Sequence, residues 1–62
     1  MARYRTGDKV VAYNHLLQDW REGLIVSYDD KHETYVVKFV GELQQLYRLL
    51  PDEISGEYDE RN

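Results

Sequence analysis

The chain contains no cysteine, which excludes disulfides and thiolate metal clusters as staples and fits a reducing compartment. It has two histidines, His15 and His32, set far apart and without the companions that a metal site needs. No apolar run approaches the roughly 20 residues that cross a bilayer, and the segment Met1-Ala2-Arg3-Tyr4-Arg5 lacks an apolar core of signal-peptide length. These absences fit a soluble intracellular protein or an excised domain, with no membrane partner. The four glycines, Gly7, Gly23, Gly41 and Gly56, are too dispersed to form a phosphate-cradling loop, so no cofactor is expected. No Ser/His/Asp or Cys/His constellation is visible, and 62 residues leave too thin a core to enclose a substrate. The expectation is a protein that is not an enzyme.

A basic stripe is also missing. Residues 1–50 hold seven acidic and seven basic side chains, so the formal charge of −4 lies in the tail: Asp52, Glu53, Glu57, Asp59 and Glu60 stand against Arg61. Nucleic-acid binding normally needs clustered bases to displace counterions from phosphates, and the acidic balance speaks against it. An acidic rim instead attracts cationic ligands, while a solvated tail is the simpler reading of these charges.

What is present is a series of short β-prone runs. Gly7-Asp8 signals a turn before a first strand, Lys9–Tyr13. Residues 14–19 read as a loop in which Leu16 and Leu17 are unexpectedly apolar. They either tuck beneath the sheet or form a contact patch. Trp20–Tyr28 makes a second strand with Gly23 inside it, the mark of a bulge or of close approach by a neighbouring chain segment. Residues 29–33 form a polar connection with Asp29 and Asp30 in turn chemistry, and Thr34–Val40 is a third strand rich in β-branched and aromatic residues. Gly41-Glu42 turns the chain into a fourth strand, Leu43–Leu50. A helix is the alternative there, because Leu43, Leu46, Leu49 and Leu50 also fit a spacing of 3.6. Pro51 ends that strand, and Asp52-Glu53-Ile54 allows a helical turn and a short closing strand with Ile54 on the core. The expected fold is all-β, a small five-stranded barrel over residues 7–55, with an N-terminal arm (1–6) and an acidic, flexible tail (56–62). Tyr28 and Tyr35 should pair across strands, whereas Tyr4 and Tyr58 fall outside the barrel.

With these runs in place, "GDKVVAY" followed by "GLIVSYDDKHETYVVKF" resembles a Tudor domain of the Royal superfamily, over about Gly7 to Ile54. "DWREGLIV", "YVVKF" and "LYRLLPDE" are also similar to the Tudor-like repeats of the spindlin group. The resemblance implies an SH3-like barrel that reads methylated lysine or arginine on a histone tail or similar basic peptide, in the nucleus, among other chromatin-associated proteins. The physics of such reading is general: a methylated ammonium is a poorly hydrated cation, aromatic faces offer it a negative quadrupole, and a carboxylate adds attraction. Carried onto this chain, the resemblance implies a pocket of Tyr13 or Asn14, Trp20, Phe39 and Tyr47 beside Glu42 or Asp19. Phe39 is the one ring in register with the family pattern. Arg21 stands where the second ring usually lies, so Trp20 needs a bulge near Glu22 to reach the same face. The ungapped first-ring position is Asn14 rather than Tyr13, and Tyr47 comes one residue later than the spindlin spacing.

Each residue also has a plainer reading. Trp20 serves equally well as a barrel lid, Phe39 as core or core rim, and Tyr47 as a half-buried sheet tyrosine with its hydroxyl in water. On that reading the pocket is degenerate and the barrel is a protein–protein interaction domain, with Leu16, Leu17 and the exposed aromatics as its contact patch.

Overall fold

The period-two alternation of apolar residues in Lys9–Asn14 and Thr34–Phe39 is the alternation of one buried and one solvated sheet face. The computed structural model describes residues 3–42 and 45–58. Its strands are β1 (Lys9–Asn14), β2 (Asp19–Asp29), β3 (Thr34–Phe39), β4 (Tyr47–Leu49) and β5 (Ile54–Glu57), with a single 3-10 turn at Pro51–Glu53 before β5. All pair antiparallel in one sheet, in the order β4-β3-β2-β1-β5. The chain is therefore all-β, in an arrangement compatible with a small SH3-like barrel whose sheet is not closed.

The inner faces of β1, β2 and β3 supply Val10 and Ala12, Ile25, and Tyr35, Val37 and Phe39; β4 and β5 add Leu49 and Ile54. Pro51 opens the 3-10 turn, and the Glu53 carboxylate accepts the Leu50 N–H at 2.8 Å, so the chain leaves β4 and delivers Ile54 into the core. Among the described residues no helix is long and apolar enough to cross a membrane.

Several expectations need correction. Tyr4 is not outside the domain: it is buried, its ring meets Tyr35 edge-on at 5.5 Å, and the Tyr35 hydroxyl accepts the backbone N–H groups of Arg3 and Tyr4. The arm is fastened because the Tyr35 hydroxyl, set on the core face, needs partners and finds them in that backbone. At the other end β5 runs to Glu57, and the Tyr58 N–H bonds to the Lys9 carbonyl at 2.9 Å, so ladder pairing continues past residue 55. β4 is only three residues long, and its strand state removes the helical alternative at Tyr47–Leu49; Leu43, where the fourth strand was expected to begin, lies outside the described residues, as do residues 59–62 of the tail. Tyr28 and Tyr35 do pair, with ring centroids 4.7 Å apart.

Candidate functional site

Register decides where the six residues of the expected pocket point. The β1–β2 ladder runs unbroken from Lys9↔Leu24 to Asn14↔Asp19, with Tyr13 opposite Trp20 and Val10 opposite Gly23. No bulge interrupts it near Glu22. The irregularity in β2 comes later, between Ile25 and Ser27, where β2 pairs with β3. Gly23 shares the core face with its partners Val10 and Phe39. Trp20, three residues away along an unbulged strand, therefore points to the opposite, outward face. Tyr13 goes with it.

The six residues thus separate into two clusters. On the outward face Tyr13 and Trp20 meet edge-on at 5.3 Å, and the His15 ring meets Tyr13 at 4.9 Å. At the inner mouth Phe39 and Tyr47 meet edge-on, also at 5.3 Å. Asn14 is completely buried there: its side-chain amide donates to Glu42 Oε2 at 2.7 Å, and its Oδ1 accepts the Leu17 N–H at 2.9 Å. The Tyr47 hydroxyl donates to Glu42 Oε1 at 2.9 Å. That hydrogen bond to a carboxylate, with burial second, raises the Tyr47 pKa and keeps the phenol protonated.

The mouth owes its shape to a turn. Gly41 adopts φ +91° and the Glu42 N–H bonds back to the Phe39 carbonyl at 3.2 Å, the geometry of a turn that wants glycine at its third position. Glu42 then stands between Asn14 of β1 and Tyr47 of β4, bridging the two strands with one carboxylate. Each Glu42 oxygen already accepts one hydrogen bond, and a carboxylate oxygen has capacity for another. Phe39 is 2% exposed, so it offers a ligand little more than an edge. Arg21, on the core side of β2 opposite Ala12, reaches Asp19 at 3.3 Å; this places an ion pair where the family pattern puts a ring.

Compared with known protein families, with curated proteins and with solved structures, the chain matches none.

Residues 15–18 form the turn that joins β1 to β2. Leu16 is 74% exposed and Leu17 52%, beside Trp20 at 45%. Asn14 fixes the turn from below through the Leu17 N–H, so the leucine side chains are displayed rather than folded under the sheet. Of the two expectations for Leu16 and Leu17, tucking beneath the sheet is the one the structure rules out, since both side chains are exposed. The histidines are solvent-facing and hydrogen-bonded to carboxylates, His15 to Glu53 and His32 to Asp29. Asp29 is held to about 2, well below the usual carboxylate value of 3.8. The His32 side-chain hydrogen bond is the main cause, helped by the His32 N–H and by Arg48 at 3.0 Å. Among the described residues no group of three or more His, Cys, Asp or Glu side chains is placed to hold a metal ion.

Proposed function

We propose that this chain is a non-enzymatic protein–protein interaction module that docks a partner on the outer side of its β1–β2 hairpin. One observation carries the reading: Leu16 and Leu17 are exposed in the turn that joins β1 to β2, and exposed Trp20 stands against Tyr13 on the ladder at the base of the same hairpin. Clustered large apolar groups in water cost free energy that contact with another surface recovers. Tryptophan and tyrosine are the side chains that most often anchor such contacts. A photo-reactive amino acid placed at position 17, with position 31 in the opposite hairpin as control, tests this in cells. An adduct to a defined protein is expected from position 17 alone. Equal adducts from both positions, or none from either, would sink the reading.

A second reading rests on a different observation, the paired rings of Phe39 and Tyr47 beside the Glu42 carboxylate at the inner mouth. Two rings and an acid are the elements that attract a methylated ammonium, and here they form half of the pocket that the Tudor resemblance implies. Titration with basic peptides of graded methylation separates the two readings. If the mouth reads methylated side chains, amide shifts grow with methylation and centre on Phe39, Glu42 and Tyr47. Under the interaction reading methylation makes no difference.

A further inference from the structure

Two four-residue turns of this protein share one backbone plan, and only one of them is apolar at its tip. In the β1–β2 turn Asn14 Oδ1 accepts the Leu17 N–H at 2.9 Å, and Gln18 closes the turn at φ +55°. In the β2–β3 turn Asp29 Oδ1 accepts the His32 N–H at 3.3 Å, and Glu33 closes the turn at φ +54°. The residues flanking each turn pair in register, Asn14 with Asp19 and Asp29 with Thr34. Lys31 and His32 thus hold the places in one turn that Leu16 and Leu17 hold in the other, and all four are exposed. The plan works with solvated side chains at the second tip, so the backbone does not call for leucine at the first. Exposed apolar groups without a structural duty mark a contact surface.

The charge at this end of the molecule selects the partner. The cross-strand row Val10–Gly23–Phe39, with Glu57 opposite Val10, divides the charges of the sheet. On the tip side of that row the described residues hold Asp19, Glu22, Glu42, Asp52 and Glu53 against Arg21 alone, and His15 adds charge only when protonated. Beyond the row Arg3, Arg5, Lys9, Lys31, Lys38 and Arg48 outnumber Asp8, Asp29, Asp30 and Glu33. The Asp19–Arg21 pair cancels one acid of the tip end, and exposed Asp52 has no ion-pair partner among the described residues. With every described charge counted, the tip end stays net negative, a field that draws cationic partners. We propose that the β1–β2 hairpin docks a basic segment of another protein. Leucine or aromatic side chains of that segment meet Leu16, Leu17 and Trp20, and its lysines or arginines are held by the acids of this end. The inference rests on the interaction reading above and adds the partner's chemistry; it involves neither methylation nor the inner mouth. The same acids repel nucleic acid and anionic membranes, and a tip-to-tip pair of this chain sets acid against acid.

Two synthetic peptides test the proposal on the isotope-labelled chain. They share the same leucine and phenylalanine positions, one carrying unmethylated lysine and the other glutamate between them. The lysine peptide is expected to shift the amides of His15, Leu16, Leu17 and Trp20 saturably, and the glutamate peptide to leave them still. Asp52→Lys, at an exposed site, should weaken the lysine peptide by about threefold to fivefold. Equal binding of the two peptides overturns the basic partner. Shifts centred on Phe39, Glu42 and Tyr47 instead place the peptide at the inner mouth and overturn docking at the tip. Shifts of the free chain that disperse on dilution indicate a second copy, and broadening of the tip amides by phosphatidylcholine vesicles indicates a membrane; either overturns the proposal. If Asp52→Lys changes nothing while Leu16→Ser abolishes crosslinking from position 17, the partner chemistry is wrong and the interaction reading stands. If position 17 never crosslinks, the interaction reading itself falls.

Discussion

Asn14 is one side chain with two duties, and both follow from burying an amide where water cannot reach it. It orders the β1–β2 turn through the Leu17 N–H and fixes the inner mouth through Glu42. Asn14→Ala leaves a buried acceptor site empty, so chemical denaturation should show a loss of about 1–3 kcal/mol. Asp29 is the second residue with a measurable signature. Its carboxylate accepts from the backbone and ring of His32 and from Arg48, and its folded pKa of about 2 lies below the ordinary 3.8. A carboxyl with a depressed folded value adds stability above its unfolded pKa and loses it as pH falls through the folded one. The contribution is therefore present above about pH 4 and lost towards pH 2. Asp29→Asn should flatten the stability–pH curve in that window and leave the neutral-pH salt dependence of other pairs unchanged. The turn role of Asp29 was legible, and it accepts the Lys31 and His32 N–H groups. Asn14 entered only as the ungapped first-ring position of the pocket, and its duty as a buried amide comes from a partner 28 positions away.

At the scale of the element, β2 shows what can and cannot be read from pattern. Gly23 inside an otherwise bulky strand signals close approach, and the approach is real: a Cβ there would lie 2.8 Å from Val37 Cγ1 and 3.3 Å from the Lys38 carbonyl oxygen. Valine is stiff about χ1, so it cannot swing aside cheaply. Gly23→Ala is expected to cost about 1–3 kcal/mol through overpacking, seen as a lowered denaturation midpoint with unchanged strand content by circular dichroism. The bulge that Trp20 would need near Glu22 to share a face with the other rings is absent, and β2 is irregular only later, after Ile25 in its ladder with β3. The unbroken register therefore sends Trp20 outward and leaves the rings in two clusters. The fourth strand was legible as to its end, because proline cannot donate to a ladder. Its length was not, since Leu43, Leu46, Leu49 and Leu50 also fit the helical spacing of 3.6.

For the whole molecule, stability depends on closing contacts that join distant parts of a small domain. Tyr35 is the clearest: its hydroxyl fastens the arm while its ring packs against Tyr4 and Tyr28. Tyr35→Phe keeps the ring and removes the acceptor. Hydrogen exchange at the Arg3 and Tyr4 amides should quicken by at least an order of magnitude while the β1–β2 ladder stays protected. The sequence by itself determined the all-β class, the succession of short strands along the chain, the proline stop and the alternation that assigns each strand an inner face, because these depend on local chemistry and on a period of two. Only the tertiary structure decided that the tyrosine in the arm belongs to the core, that Glu42 is gripped by Asn14 and Tyr47, and that Trp20 faces solvent with Tyr13. Those outcomes turn on where a ladder slips by one residue and on which buried polar atoms find each other, and neither is encoded within a single stretch of chain.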